Sequence, residues 1–203
     1  TPALVNRLIA GITIYSGSAV AKVEQHAEQV LVQNTQGQSG YFDRVVIATP
    51  TPVIEKFLQQ PQFSDALALL KKFRFEQGDL VIHTDSQVMP QRPKDWAVLS
   101  YMMDRSFSRQ QFTVWLNAIE PSLVGKSAVF QTWCPVMSLD PTKIIAQVRL
   151  TRAVVDSDTV ALNKQIQQRH LQPNRKVFYC GSWSCDGLPI LESAVTSAMH
   201  IAE

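Results

Sequence analysis

The densest run of residues able to do chemistry lies near the end of the chain: Val177-Phe178-Tyr179-Cys180-Gly181-Ser182-Trp183-Ser184-Cys185-Asp186-Gly187-Leu188-Pro189-Ile190-Leu191. It reads as a buried strand, a glycine, a polar aromatic loop, a second glycine and a helix. Pro189 suits the first helical position, where its missing N–H costs nothing. The unpaired N–H groups and positive dipole end of that helix can face a negatively charged or electron-rich ligand edge. Beyond it, Leu191, Ala194, Val195, Ala198, Met199 and Ala202 form one apolar stripe at helical spacing. Local physics alone supports equally a terminal helix that packs this stripe on a core.

Other chemistries find less support. His26, His83, His170 and His200 show no metal-ligand spacing with each other or with cysteine. Cys180 and Cys185 are five residues apart, which is neither a thioredoxin nor a zinc interval, and Cys134 lies far from both. Reduced thiols are the plain reading. Ser182 sits in Gly-Ser-Trp rather than in a G-x-S-x-G nucleophile elbow, so a serine hydrolase is rejected. His83 ends a strand and reads as structural or surface. Trp96, Tyr101, Trp115 and Trp133 fall on successive strands, where an aromatic core is favoured over a pocket lining. No catalytic acid or base stands out.

The elements that must position these residues follow from periodicity. Pro2–Ile9 carries a helical apolar stripe ended by Gly11. Strands are expected at Ile12–Ser16, Ala19–Gln25, Val30–Asn34 and Gly40–Phe42, forming a small meander. Val45–Ala48 is continuously apolar and β-branched, as for a strand buried on both faces. Thr49-Pro50-Thr51-Pro52 stops it, since two prolines cannot continue a ladder. Helices are expected at Val53–Leu58 and Ser64–Phe73. An antiparallel or mixed sheet should follow, from Leu80–Thr84, Ala97–Met102, Phe112–Ala118, Ala128–Cys134 and Ile144–Leu150. Asp156 or Ser157 could cap a helix over Asp158–His170. Val177–Cys180 and Pro189–Ala202 close the pattern as strand and helix.

Bulk properties bound the class. The 203 residues are 45% hydrophobic and 18% charged with a net charge of +2, ordinary for a globular protein with an apolar core. The charges are scattered, which argues against a nucleic-acid or membrane partner. No apolar run approaches the roughly 20 residues of a membrane span. The expectation is a soluble, cytoplasmic protein acting on a small molecule, with its oligomeric state open. Thr1 opens directly into helix-like sequence, which reads as a truncated chain.

Two segments resemble the flavin amine oxidases and related NAD/FAD-dependent amine oxidoreductases. One is the run from Phe178 to Ala198. The other spans Gly17–Pro50 and ends in Asp43-Arg44-Val45-Val46-Ile47-Ala48-Thr49-Pro50, similar to that family's Asp-x-Val-Val-x-Ala-x-Pro strand. Between them, Leu80–Pro90 resembles the opening of the family's substrate domain. The resemblance implies FAD as cofactor. It implies that Gly181 and Ser182 lie beside the ribityl–pyrophosphate portion, with Thr49 and Pro50 passing the phosphates. It further implies that Leu188, Pro189, Ile190 and Leu191 meet the pyrimidine edge of the ring, and that Val20, followed by Val23, offers its backbone to adenine.

The G-x-G-x-x-G fingerprint is absent from the eight glycines. The expected fold is therefore α/β to α+β, an FAD-domain remnant lacking its Rossmann half (1–52 and 174–203) plus a sheet-based substrate domain (53–173). Alone, such a chain should bind FAD weakly or not at all and be inactive. The complete protein would transfer a hydride from substrate to FAD. The alternative is a non-catalytic binding module that keeps a flavoprotein-like fold.

Overall fold

The computed structural model describes residues 2–202, the side chain of Pro2 excepted. The chain divides into two compact units: residues up to Arg74 together with those from Ala153 onward, and Phe75–Arg152. The boundaries expected at 52/53 and 173/174 fall inside the first unit. Its core explains why: Ile54, Leu58, Phe63, Leu69, Leu70, Phe73, Leu162 and Ile166 are all buried there.

The first unit opens with α1 (Pro2–Leu8), whose described apolar side chains are exposed. An antiparallel meander follows: β1 (Val20–Gln25), β2 (Val30–Asn34) and β3 (Ser39–Phe42). Asn34 fixes its second turn, accepting the Gln36 and Gln38 N–H groups on Oδ1 at 3.0 and 2.9 Å. Gly37 supplies the left-handed residue at φ +83°. The strand expected at Ile12–Ser16 does not form. That run lies between left-handed Gly11 and Gly17 and has no ladder partner among the described residues; its Ile12 N–H turns back to the Ile9 carbonyl at 3.0 Å instead.

Next come β4 (Val45–Ile47), α2 (Thr51–Ile54) and α3 (Ser64–Leu70). Both helices are shorter than their apolar patterns suggested. After the second unit, α4 (Thr159–His170) leads to β10 (Val177–Tyr179) and then to α5 (Leu191–Ala202). β10 pairs in parallel with β4, Val177 opposite Val45 and Tyr179 opposite Ile47. β10 is buried throughout, but Val46 is 50% exposed. The expectation that β4 is buried on both faces is thus corrected: Ile47 is buried, but Val46, on the other face of the strand, lies open.

The second unit is a five-stranded sheet in the order β6-β7-β8-β5-β9. Its strands are β5 (Phe75–His83), β6 (Leu99–Met103), β7 (Gln110–Trp115), β8 (Phe130–Trp133) and β9 (Ile144–Ala153). The β6–β7, β7–β8 and β8–β5 ladders are all antiparallel. Side-chain alternation splits the aromatic residues between two faces. Trp96 and Trp115 meet edge-on and pack around buried Phe130, Val88 and Met89. On the opposite face, register aligns Tyr101, Phe112, Trp133 and Leu80 in one row across four strands. Tyr101 is 71% exposed. Of the four aromatics, Tyr101 is therefore exposed, while Trp96, Trp115 and Trp133 are half-buried.

No helix among the described residues is long and apolar enough to cross a membrane.

Candidate cofactor site

Parallel strands put ligands at their carboxyl ends, because the loops that leave those ends open a crevice between them. Here the loops begin at Ala48-Thr49-Pro50 after β4 and at Cys180-Gly181-Ser182 after β10. The Cys180 N–H donates to the Ile47 carbonyl at 3.0 Å, extending the ladder one step beyond the strands. Buried Trp183 then folds back and donates its indole N–H to the Thr49 carbonyl at 3.1 Å. Its ring meets Phe73 edge-on at 4.8 Å. Gly181 makes this possible. With φ at +146°, a Cβ there would lie 2.7 Å from the Trp183 ring nitrogen.

α5 begins at Leu191, two residues later than expected, and Pro189 lies in the bend before it. The delay has a local cause. The Ile190 N–H is drawn to the Leu188 carbonyl at 2.8 Å, and the Ser193 hydroxyl donates to that same carbonyl at 2.5 Å. The Ala194 N–H then opens the helical ladder onto the Ile190 carbonyl.

The helix also sits the opposite way round from its apolar pattern. Ser193 and Ser197 face inward, while Leu191 at 66% and Met199 at 57% are exposed, with Val195 between them. Hydrogen bonding accounts for the inward serines. Ser197 Oγ receives the Gly181 N–H at 3.0 Å and lies within bonding distance of the Gly181 and Ala194 carbonyls. The stripe expected to pack on a core is instead an outward apolar face.

Behind the strands, His170 accepts the Tyr179 N–H on Nε2 at 3.1 Å, which requires a neutral ring. Burial, aided by nearby Arg175, lowers its pKa to about 4. Burial likewise pushes the Tyr179 phenol up to about 12 and raises the Cys180 thiol. From α4, Asn163 donates to Asp186 at 2.8 Å and so anchors the loop before α5.

A family model for flavin containing amine oxidoreductases matches residues 1–134 of this chain. The chain belongs to that family. A structure titled "Crystal structure of reduced UDP-Galactopyranose mutase" superposes on it with a TM-score of 0.59 at 11% identity. That alignment covers 93% of this chain and 46% of the other, so the chain spans about half the length of that protein. At this identity the likeness concerns the fold alone. No curated protein matches by sequence.

Whether this family member's residues suit a flavin dinucleotide can be judged from the strand ends. Such a group brings hydroxyls, a pyrophosphate and an electron-poor ring. Thr49 Oγ1 is buried without a hydrogen-bond partner, an arrangement that usually costs free energy unless something else supplies one. Ser182, half-buried, is a second hydroxyl at the same edge. The α5 amino end is open, with Leu188, Ile190 and Leu191 exposed. The donor set fits.

The structure thus brings together Thr49, Pro50, Gly181 and Ser182, with Leu188–Leu191 following on the same loop. It does not bring Val20 to that edge. Val20 opens β1 in the meander, beside a β-bulge, and is exposed, whereas Val23 is buried and donates its N–H to the Phe57 carbonyl at 2.9 Å. The Gly181 amide is bonded to Ser197, so what Gly181 offers is close approach rather than a donor.

Two features escaped the sequence reading. Trp183 and Ser197 hold the strand ends, and the four-residue spacing of Ser193 and Ser197 was the available signal. In the second unit, His83 is fully buried at the head of a polar chain. It accepts the Asp85 N–H on Nδ1 at 3.1 Å, so its Nε2 donates to Thr132 at 2.8 Å, and Thr132 contacts Thr113 at 2.9 Å. Among the described residues no cluster of His, Cys, Asp and Glu could hold a metal ion.

Proposed function

We propose that this chain is the cofactor-edge and substrate-recognition part of a flavin-dependent oxidoreductase that takes FAD. Thr49 and Pro50 at the end of β4, with Gly181 and Ser182 at the end of β10, would hold the ribityl–pyrophosphate portion. Leu188, Pro189, Ile190 and Leu191 would border the pyrimidine edge, and Val20 the adenine. When bound, the flavin supplies the redox chemistry, accepting a hydride from a substrate C–H bond next to nitrogen.

The chain's own residues orient and tune. The amino end of α5 favours negative charge at its tip. Trp183 and Ser197 keep the two strand ends in register. The exposed loop of Leu188, Ile190 and Leu191 excludes water once covered. The second unit supplies the surface that selects a small-molecule substrate.

The observation that carries the reading is the unpartnered, buried Thr49 hydroxyl at the carboxyl end of a parallel strand pair. A second supports it. The outward stripe of α5, exposed Val46 and the exposed apolar residues of α1 leave more apolar surface than a finished unit tolerates. A two-stranded parallel sheet is also rarely complete. A dinucleotide-binding layer would cover both, and without it FAD binding by this chain is expected to be weak.

The test is to purify the full product of the gene and assay bound flavin by its visible absorbance and by release on denaturation. Near-stoichiometric FAD supports the proposal. A colourless product that takes up no added FAD overturns it in favour of a non-catalytic module.

A further inference from the structure

We propose that the second unit holds a binding site of its own for a small planar organic anion, with Arg109 as the residue that recognises its charge.

The site is a crevice of about 590 Å³ at one end of the five-stranded sheet, within the size range of small-molecule sites. Its walls come from the start of β5, the β6–β7 hairpin and the segment just after β8, with Trp133, Phe107 and Met103 as the apolar surfaces. A second hollow of about 350 Å³ continues from it and shares Asp79, Arg109 and Pro135.

Charge decides the ligand class. Four charged residues line the crevice: Glu76, Asp79, Arg109 and Arg149. Asp79 and Arg149 neutralise each other through a two-pronged pair, Nε to Oδ1 at 3.0 Å and Nη2 to Oδ2 at 3.1 Å. Glu76 is engaged by a partner of its own. Arg109 differs. Among the described residues its guanidinium makes one hydrogen bond, to the Pro135 carbonyl at 2.9 Å, and no ion pair. Asp104, the nearest acid along the chain, takes the Arg109 main-chain N–H at 3.2 Å and the Ser106 and Ser108 hydroxyls. Asp104 therefore positions the arginine without occupying its fork. The remaining N–H groups suit a carboxylate or a phosphate, both of which accept two parallel bonds.

The backbone supports the same place. Phe107 at φ +56° and Cys134 at φ +49° are two of three left-handed non-glycine residues among those described, and both line this crevice. Gly78 makes the floor, since a Cβ there would lie 2.4 Å from both the Trp133 ring and the Cys134 sulfur. The Trp133 ring packs closely against Gly78, with the Arg152 guanidinium 5.0 Å from its centroid. A planar ligand beside this indole, with its anionic group on Arg109, satisfies both features.

The experiment is calorimetric titration of the chain at low salt with benzoate, phenyl phosphate and inorganic phosphate. Saturable binding of benzoate or phenyl phosphate, weakened about tenfold or more in Arg109→Ala, is the expected result. Arg109→Lys should recover part of the affinity, and added salt should reduce it. Which aromatic anion binds more tightly separates a carboxylate from a phosphate ligand. No saturable binding, equal affinity in Arg109→Ala, or inorganic phosphate binding as well as phenyl phosphate each overturns the proposal. Arg109 is surface-exposed, and circular dichroism checks that its variants remain folded. No flavin is needed, so the outcome is independent of the flavin reading.

Discussion

Trp183 donates its indole N–H to the main-chain carbonyl of Thr49 at 3.1 Å, tying together two strand ends that are 134 residues apart in sequence. Around this bond the candidate cofactor edge is organised. It makes the loop after β10 depend on the loop after β4, so a change at one should be felt at the other.

Trp183→Phe keeps the ring against Phe73 but removes that bond. It should lower stability by about 1–2 kcal/mol in urea denaturation, the cost of leaving a part-buried carbonyl without its donor. Gly181→Ala should cost more than Trp183→Phe, because its new Cβ meets the Trp183 ring at 2.7 Å in a backbone region that favours glycine. Equal stability of wild type and Gly181→Ala would show that the indole is not held as described.

Thr49→Val separates stability from function. Nothing in the chain bonds to the Thr49 hydroxyl, so removing it should be neutral or stabilise by about 1 kcal/mol. In the gene's full product the same change should lower flavin content or increase flavin loss on dilution. A variant both less stable and unchanged in flavin content would assign the hydroxyl a structural partner instead.

Acid should weaken the fold through two histidines held neutral, buried His83 and half-buried His170. The pKa of His170 is lowered from 6.5 to about 4, and that of His83 is lowered by burial, against an opposing effect from Asp85. An unfolded chain binds these protons at higher pH than the folded one does. The contribution is therefore full above pH 6.5 and lost progressively as pH falls toward about 4. His170→Gln, measured by denaturation across this window, should flatten the slope. A slope unchanged in both His170→Gln and His83→Gln would contradict the burial of neutral rings.

The outward stripe of α5 should make the isolated chain self-associate. Leu191→Ser combined with Met199→Ser should reduce light scattering and hydrophobic-dye binding while changing stability by no more than about 0.5 kcal/mol. A large loss of stability would mean that the stripe packs inward after all.

Strand positions were legible because alternation and β-branching report a pleated surface directly. The β4 and β10 segments, the meander and all five strands of the second unit lie near their expected places. The orientation of α5 was not legible. Its leucine, valine and methionine spacing matches a core-facing helix equally well, and only the hydrogen bonds from Ser193 and Ser197 reveal which side faces in. Ile12–Ser16 failed for a related reason, since a strand pattern says nothing about whether a partner strand lies alongside. Thr49, Pro50, Gly181 and Ser182 could be named from motif likeness, but Trp183 could not, because its role depends on contact across the fold. His83 read as structural or surface, and only the fold decides for the structural role, because a strand end does not disclose burial.

Hydrogen–deuterium exchange on the gene's full product, with its flavin in place and after stripping, tests the central claim most directly. The account requires that flavin protect amides at residues 48–50, 181–183 and 188–191 above all others in this chain. Protection absent from these three segments, or concentrated elsewhere in the chain, would contradict it.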